Sequence, residues 1–482
     1  METALLAAPD WAALEFGGVD LHDRRRSRRL VRVAAQLADD PHGRLPESFD
    51  GWAELKAAYR LLEEPDITHG AILAPHLQRV RRQCRQPGDY LFLEDTTELD
   101  FSSRAAVKDL GAIGDGNGQG LFVHSTLALQ IESWGPDHQP EGTLLGLAGQ
   151  SCWVRIQYRA ATDEKKAHRL GRHRESQRWA AAVEQIGPPP PDARYTFLAD
   201  READIFETIQ RCQDHRWDFI VRASQPRAMA DEEGSIFDAV AAAPVIASFR
   251  LLLRARPERS TRNKRTGKRK RTRKAHAART VELEVRTRTV RLQSPWRPAE
   301  AATTRTVNLV EAKEVNPSPG DDPIHWVLLT SWPCTGVPEV LRVVKAYTRR
   351  WLIEEYHKAL KTGTGIEDSQ LETAQRIEAL LAILAVVAVR LLNRKLLATT
   401  RPDDPIGADE LSSEARQILE AAFGRPPEGW TNRQALRGIA RLGGFIGRKS
   451  DGEPGWITIW RGWNRLILMV QGFSLARGKE CG

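Results

Sequence analysis

The chain has 482 residues, of which 41% are hydrophobic and 28% are charged. This composition is typical of a globular protein, and the length predicts about two to four domains. The 71 Lys and Arg residues exceed the 63 Asp and Glu residues, so the net charge is +8 and the pI is about 9.3. A basic balance favours a polyanionic partner, although the position of the charge is more informative than its sum.

The cysteine spacing and the apolar segments exclude several classes of protein. The five cysteines are far apart and form no C-x-x-C pair, which argues against a zinc finger and a disulfide framework and suits a reducing cytoplasm. The first residues, METALLAAPDWAAL, lack the basic start and the long apolar core of a signal peptide. The longest apolar run, 379–389, is followed by Arg390 and predicts a buried helix, because it is too short to span a membrane.

Residues 1 to about 75 are predicted to be helical. Asp10 is a candidate cap for a first helix, a second helix begins near Leu21, and a third, AELKAAYRLLEE, stops before Pro65. A compact helical unit with an arginine-rich face is typical of a DNA-binding module, and a solvated basic face is the alternative. The arginine cluster is formed by Arg24, Arg25, Arg26, Arg28 and Arg29.

Residues 90–222 have the pattern of a mixed sheet with helices on its faces. Three strands, YLFLED, LFVHSTLALQIE and TLLGLAG, precede a helix from about Glu175 to Ile186. The strand YTFLAD, a helix from about residue 203 to residue 212 and the strand WDFIVRA follow. Strands that first form a meander and then alternate with helices predict an α/β fold.

The glycine-rich stretch GAIGDGNGQG, residues 111–120, could be taken for a phosphate-binding loop. It matches neither G-x-G-x-x-G nor G-x-x-x-x-G-K-[ST], and it precedes a strand where such loops open a helix. We therefore interpret it as a flexible connection between strands.

From about 225 to 325 the sequence predicts a β-rich segment that contains a strongly basic run. The strands FRLLLRAR and VELEVRTRTVRLQ flank STRNKRTGKRKRTRKAHAAR, which predicts a hairpin tip or a loop. Such a run is often only solvated, but its density of cations favours contact with phosphates. The residues predicted to contact DNA here are Lys264, Arg265, Lys268, Arg269, Lys270 and Arg271.

Asp95 and Asp200 each close a predicted buried strand, YLFLED and YTFLAD. A carboxylate just beyond a buried strand has a rigid support and can face a substrate. Either aspartate alone is more often a turn residue or a helix cap.

A third carboxylate lies in a long helix predicted from about residue 338 to residue 362. Four residues at i, i+3, i+7 and i+14 fall within roughly a 60° arc of one helical face. Glu355 points about 100° away from Glu354, so the spacing selects Glu354. The alternative is an exposed helix with ordinary salt bridges. The four residues are Tyr347, Arg350, Glu354 and Lys361.

Asp95, Asp200 and Glu354 together are what a two-metal phosphoryl-transfer site requires. Without a metal, three carboxylates would raise one another's pKa. Two Mg²⁺ ions, for which Mn²⁺ would substitute, relieve this repulsion and activate the attacking oxygen. Arg350 and Lys361 would then grip DNA phosphates.

These residues carry a resemblance to the DDE transposases of the IS-four insertion-sequence family. The matching motifs are EDTTELDFSS around Asp95, ADREADIFETI around Asp200, and the Y-x2-R-x3-E-x6-K pattern of YTRRWLIEEYHKALKTG. DWAALEFGGVDLHDRRRSRRLVRVAAQLA and IARLGGFIGRKSDGEPGWITIWRGW are similar as well, so the resemblance covers nearly the whole chain. After Gly365 the sequence IEDSQLETAQR departs from the pattern, which leaves the preference for an end sequence open.

The resemblance implies an α/β, RNase H-like catalytic core at 76–375, interrupted by the β-rich insertion. It implies a helical domain at 1–75 that recognises transposon ends, and a helical dimerisation domain at 376–482 whose last 75 residues are rich in tryptophan. The implied partners are the terminal inverted repeats, target DNA and a second copy of the chain in a synaptic complex. Such a protein works in the bacterial cytoplasm, at the nucleoid.

The implied reaction is cut-and-paste transposition. One strand is nicked, the freed 3′-OH attacks the opposite strand to form a hairpin, the hairpin is opened, and the 3′-OH attacks target DNA. Trp326 matches the position whose indole stacks on a flipped base, and the alternative is a core strand residue. Tyr347, Arg350 and Lys361 match positions that hold the neighbouring phosphate.

Two other functions are compatible with part of the pattern. A catalytically inactive DNA-binding regulator derived from a transposase would be expected to lose a carboxylate or the N-terminal domain, and both are present here. A metal-dependent nuclease of the same fold would use the same triad. The Tyr–Arg–Lys pattern and Trp326 favour hairpin handling and hence transposition.

Overall fold

The computed structural model describes most of the chain. The described residues are 6–41, 44–49, 51–104, 106–155, 175–253, 259–262, 269–273, 279–295, 303–317, 323–407, 411–448 and 451–478.

Within these residues one ten-stranded mixed sheet forms the centre of the molecule. Its strand order is β2-β3-β1-β5-β6-β12-β11-β10-β7, with β4 paired to β3, and β8 and β9 form a separate two-stranded ribbon. The strands are β1 (Gly88–Asp100), β2 (Gly111–Ile113), β3 (Gly118–Trp134), β4 (Pro140–Trp153), β5 (Ala193–Ala199), β6 (Asp218–Arg222), β7 (Val245–Leu253), β8 (Arg259–Arg262), β9 (Arg269–Arg273), β10 (Arg279–Gln293), β11 (Thr304–Glu314) and β12 (His325–Thr330).

Helices cover both faces of the sheet and form the two ends of the chain, which confirms the predicted mixed α/β fold. The described helices are α1 (Ala8–Phe16), α2 (Arg24–Asp39), α3 (Trp52–Glu63), α4 (His69–Cys84), α5 (Arg178–Ile186), α6 (Phe206–Asp214), α7 (Ile236–Ala241), α8 (Val337–Thr348), α9 (Trp351–Lys358), α10 (Ala374–Thr400), α11 (Ser413–Phe423), α12 (Asn432–Leu442) and α13 (Trp456–Gly478).

Strand β1 is central because it pairs antiparallel with β3 on one side and parallel with β5 on the other. Residues 90–94 are buried. A strand covered on both faces is apolar along its length rather than alternating, and this explains the run YLFL.

The β-rich insertion continues the core sheet. Strand β12 pairs with β6, and β11, β10 and β7 follow in order, so the insertion adds its strands to the edge of the core. The basic run contains the antiparallel ribbon of β8 and β9, as the hairpin prediction requires. The backbone of Arg269, Lys270 and Arg271 lies in β9, whereas Lys264, Arg265 and Lys268 fall outside the described residues.

The glycine-rich stretch is a strand connection, as predicted. Gly111–Ile113 and the start of β3 pair antiparallel around a turn. Gly114 and Gly116 adopt φ angles of 62° and 88°, which favour glycine.

The N-terminal helices differ in detail from the prediction. Helix α2 begins at Arg24, after the cap Asp23, rather than near Leu21. Asp10 lies in the first turn of α1 and does not cap it. Helix α4 has no counterpart among the predicted elements, because Pro75 lies inside it and obscures its helical pattern.

Helix α10 joins the two ends of the chain to the core. The predicted apolar helices at 377–397 are one helix of 27 residues, buried around its whole circumference from Ala379 to Val389. It contacts α2, α3 and α4 on the N-terminal side, β4 in the core, and α12 near the C-terminus. Within the described residues, no helix has the length and apolar character needed to cross a membrane.

A buried ionic cluster attaches α1 to the rest of the molecule. The Glu15 carboxylate lies 2.7 Å from Nδ1 of His76 and accepts bonds from Arg79 at 2.8 and 3.0 Å. Nε2 of His76 in turn accepts from the Leu147 amide of β4 at 3.0 Å. Burial raises the pKa of Glu15, but His76 and Arg79 outweigh it, and the net shift is downward.

We predict that Glu15→Ala lowers the free energy of unfolding by about 2–4 kcal/mol, because it leaves buried donors without their acceptor. Since the pKa of Glu15 is lowered by folding, this contribution is present at neutral pH and is lost as the pH falls below the ordinary carboxylate range. Urea unfolding at pH 7 measures it. Glu64→Ala, which breaks the more exposed pair with Arg26, is the control and should cost less than about 1 kcal/mol. Equal effects of the two substitutions would contradict the prediction.

Candidate active site

The pairing of β1 with β5 brings Asp95 and Asp200 together. The parallel register ends at Leu93 opposite Leu198, and each aspartate lies two residues further along its strand. Both carboxylates therefore leave the same face of the sheet, on neighbouring strands that are about 4.8 Å apart. The register thus makes the two aspartates neighbours in space.

Asp95 does not close its strand, contrary to the prediction. Strand β1 continues to Asp100 because β3 still pairs with it, whereas β5 ends at Ala199. Oδ1 of Asp95 accepts from the Thr96 amide at 2.8 Å. Asp200 does follow the end of its strand, and it caps a short 3₁₀ turn by accepting from the Glu202 amide at 2.9 Å.

Glu354 comes from α9, which is not part of one continuous helix as the spacing predicted. Helix α8 ends at Thr348, and the amides of residues 349–353 include i→i−3 bonds that tighten the backbone before α9. A π-helical turn, Ala359–Gly363, follows α9 and carries Lys361. The predicted arc of four side chains on one straight helix is therefore wrong, because the backbone changes its winding twice between Tyr347 and Lys361.

The three carboxylates act on one another electrostatically. Burial raises the pKa of Asp95 to about 7, and the negative charges of Asp200 and Glu354 contribute to the rise. The Arg350 guanidinium and the Thr96 amide oppose it. Asp95 is 17% exposed, so its charge is poorly solvated, and a cation beside it would be strongly favoured.

Arg350, Tyr347 and Arg222 lie beside the three carboxylates, and the two guanidinium groups supply positive charge there. Arg350 donates to Oε1 of Glu354 at 2.5 Å, and Arg222, the last residue of β6, donates to the His325 carbonyl at 2.8 Å and lies close enough to the Tyr347 hydroxyl to interact with it electrostatically. Burial raises the pKa of Tyr347 and lowers that of Arg222. The sequence reasoning missed Arg222, although its position at the end of the strand WDFIVRA resembles that of the two aspartates.

Trp326 and Lys361 have different contacts. The Trp326 ring contacts the edge of the Tyr347 ring, with centroids 5.4 Å apart, and it is half-buried. Nζ of Lys361 lies 3.8 Å from Oε1 of Glu367, which follows the π-helical turn. Trp326 is therefore joined to the predicted group by a direct ring contact, and Lys361 lies close enough to His357 for its positive charge to lower the His357 pKa.

Two further residues were missed by sequence reasoning. Nδ1 of His357 lies 3.8 Å from Oδ2 of Asp95, and burial lowers the His357 pKa to about 3, which keeps the imidazole neutral. Asp204 accepts bonds from the amides of Ser224 and Gln225 and from Arg227, and so fixes the turn after Asp200 to the loop after β6. A possible signal for Asp204 was its place in the motif ADREADI.

The donor set fits a hard divalent cation, because it consists of carboxylate oxygens whose mutual repulsion a cation would relieve. In the part of the chain that the structure describes, no three His, Cys, Asp or Glu side chains are gathered closely enough to ligate one ion as they stand. Glu354, the third predicted carboxylate, accepts a hydrogen bond from the Arg350 guanidinium.

The N-terminal arginine cluster contains both arginines in ion pairs with acidic residues and arginines exposed to solvent. Arg26 pairs with Glu64, and Arg29 pairs with Glu54 on α3, both at 2.5 Å. These two arginines hold helices together. The residues of the cluster that are exposed are Arg24, Arg25 and Arg28.

Three family descriptions match successive parts of the chain. Transposase DNA-binding matches residues 8–67, Transposase DDE domain matches 166–390, and Transposase Tn5 dimerisation domain matches 426–481. The chain belongs to the DDE transposases. The third match confirms the predicted resemblance to the IS-four family, and the second confirms the RNase H-like core.

The match to the DDE domain makes the transposase an enzyme that depends on a divalent metal. Asp200 and Glu354 fall inside the matched range, whereas Asp95 precedes it. The exposed arginines of α2 fall inside the DNA-binding match, and α12 and α13 fall inside the dimerisation match. The family therefore accounts for DNA and a second copy of the chain as partners.

We predict that Asp95→Asn stabilises the metal-free transposase at pH 8 by about 1–4 kcal/mol, and much less at pH 5. The folded pKa of Asp95 is raised to about 7, so wild-type stability is full below the ordinary aspartate pKa and is lost as the pH rises through 7. Asparagine removes this cost. Denaturant unfolding in EDTA at both pH values measures the difference. Asp403→Asn at an exposed site is the control. Equal stabilities of the wild type and Asp95→Asn at pH 8 would refute the raised pKa of Asp95.

Proposed function

We propose that this transposase moves its element by a cut-and-paste reaction that passes through a DNA hairpin. Asp95, Asp200 and Glu354 hold the metal. One strand is nicked at each transposon end, the 3′-OH attacks the opposite strand, the hairpin is opened, and the 3′-OH then attacks target DNA. The observation that carries the proposal is that Asp95 and Asp200 lie in adjacent register and that the charges of Asp200 and Glu354 both act on Asp95.

The proposed cofactor is Mg²⁺, two ions per site, with Mn²⁺ able to substitute because carboxylates suit both. Bound there, the ions would activate the attacking oxygen and stabilise the leaving one. Asp95 has to lose its proton to act as a ligand. Because the pKa of Asp95 is about 7, a cation that binds beside Asp95 and Asp200 near neutral pH can displace the proton of Asp95.

Arg350, Tyr347, Arg222 and Lys361 are proposed to hold the phosphate next to the cut. The guanidinium of Arg350 donates a hydrogen bond to Glu354 at 2.5 Å in the absence of DNA. A DNA phosphate would compete with Glu354 for the guanidinium donors. Phosphate binding would thereby release Glu354 toward the two aspartates. The DNA would in this way help to complete the metal site.

Trp326 is proposed to stack on a base that leaves the duplex when the hairpin forms. Its ring lies against Tyr347, beside the proposed phosphate contact, and is half-buried, which leaves part of it accessible. Extruding a base relieves the sharp bend of a hairpin, and an aromatic face recovers part of the lost stacking.

The rest of the chain is proposed to position the DNA ends. Residues 1–75 recognise the terminal inverted repeats, with Arg24, Arg25 and Arg28 on phosphates, and the basic ribbon of β8 and β9 adds non-specific contacts. Residues 76–375 form the catalytic core. Residues 376–482 pair two copies into a synaptic complex, so that each active site cuts the end bound by its partner.

Cleavage of end DNA tests the proposed reaction directly. A DNA fragment carrying the terminal repeats that flank the gene is incubated with Mg²⁺ and either the wild type or Asp95→Ala. We expect hairpin-ended or blunt excised products from the wild type and a loss of at least about 1,000-fold in the variant, because one metal ligand is missing.

The alternatives give different products in the same experiment. End binding without any cut, equal in both proteins, would overturn the enzymatic proposal and favour a DNA-binding regulator. Cleavage without hairpin or strand-transfer products would favour a nuclease of the same fold. End binding in EDTA controls for folding of the variant.

We further predict that Trp326→Ala slows hairpin formation by about 5- to 100-fold, because one base–aromatic stack is lost. Nicking should be nearly unchanged, since the nick precedes the bend. Trp326→Phe, which keeps an aromatic face, should recover much of the rate. Denaturing gels separate the two steps, and 2-aminopurine fluorescence reports the extruded base. An equal slowing of nicking and hairpin formation would instead favour a core role for Trp326.

A further inference from the structure

Glu355, the neighbour of Glu354, faces a different set of partners. One oxygen accepts from Nζ of Lys358 at 2.7 Å. The other accepts from Nζ of Lys395 at 2.6 Å and from the indole N–H of Trp456 at 2.8 Å. Successive residues of a helix point about 100° apart, so α9 presents one carboxylate toward Asp95 and the next toward the C-terminal helices.

The Glu355 contact is charged and largely shielded from water. The Glu355 side chain is 15% exposed, that of Lys395 is 18% exposed, and Trp456 is buried. Burial raises the pKa of Glu355, but Lys395 and Lys358 outweigh it and bring the pKa down to about 2. The carboxylate therefore stays ionised at physiological pH, and its hydrogen bonds are of the strong, charge-assisted kind.

The partners of Glu355 lead to the region that matches the dimerisation family. Trp456 is the first residue of α13, inside the match at 426–481, and Lys395 of α10 lies 4.5 Å from the centre of its ring. Further along, α13 exposes large apolar side chains at Ile457, Leu468 and Leu475. The start of α13 is thus fixed to the catalytic helix, while its exposed side chains remain accessible to a second copy.

We propose that Glu355 is a positioning residue that links the dimerisation helix α13 to the catalytic helix α9. Through its bond to Trp456, the pairing of two copies orients Glu354 for metal binding. This inference rests on the proposed function, because it takes Glu354 as a metal ligand.

The geometry of α9 explains why such a link is needed. The helix has 8 residues, its backbone is tightened at the start by i→i−3 bonds from the amides of residues 349–353, and the π-helical turn at 359–363 follows it. A helix this short, with irregular winding on both sides, is oriented by its tertiary contacts more than by its own backbone bonds. Glu355 supplies such a contact one residue from Glu354.

The test uses the full-length transposase and end DNA. Paired-end complexes are assembled in EDTA and isolated, and cleavage is then started with Mg²⁺. Trp456→Phe keeps an aromatic ring at this position and removes the indole N–H donor, and Glu355→Gln removes the charge. We expect near-normal yields of complex, cleavage within complexes slowed roughly 10-fold, and a higher half-saturating Mg²⁺ concentration. The double variant should be no slower than the slower single variant, because both changes break the same contact.

Trp463→Phe is the matched control. It makes the same change in the same helix, but its indole contacts the Asp39 carbonyl at 3.4 Å, away from α9. Its complexes should cleave like the wild type. Wild-type cleavage rates in Trp456→Phe complexes, or additive effects in the double variant, would overturn the link. A fall in complex yield with a normal rate inside the remaining complexes would also overturn it, since the contact would then serve assembly alone. A wild type that forms complexes but never cuts would overturn the proposed function, and this inference with it.

Discussion

The parallel pairing of β1 with β5 forces two carboxylates of like charge to share one face of the sheet. Two residues beyond the last paired residues, Asp95 and Asp200 stand side by side on strands whose spacing is set by backbone hydrogen bonds. The register fixes the backbone at both positions, so the two carboxylates are close to each other in the folded protein. Burial raises the pKa of Asp95, the negative charge of Asp200 adds to the rise, and a divalent cation would relieve the repulsion between the two carboxylates.

The remaining parts of the site balance this charge. Arg350 lowers the pKa of Asp95 and bonds Glu354, and Arg222 supports Tyr347 from the neighbouring strand β6. Arg350 and Arg222 have two effects: their positive charge stabilises the metal-free protein, and it attracts the phosphate backbone of DNA. In the proposed reaction, a DNA phosphate replaces Glu354 as the partner of Arg350, and the metal replaces Arg350 as the partner of Glu354.

The sequence predicted the features that depend on residues close together in the chain, and it missed those that depend on contacts between distant residues. The strands around Asp95 and Asp200, the glycine-rich turn and the family were predictable, because they rest on local patterns and motifs. The helix break after Thr348 was not, since propensity alone continues the helix and tertiary packing changes its winding. Arg222 and His357 were missed for a related reason: the strand β6 and the face of α9 that bring them to the site cannot be inferred from spacing along the chain.

By itself the sequence determined the family and, with it, the general kind of reaction. Its carboxylates, its basic residues and its three motifs define a DDE transposase, since chemistry depends on residue type and motifs are local. The tertiary structure alone decided which groups meet. It placed Asp95 inside a long strand, separated structural arginines such as Arg26 from exposed ones such as Arg24, and directed Glu355 to Trp456. These outcomes depend on strand register and helix packing, which bring together residues as far apart in the chain as Glu355 and Trp456, 101 positions.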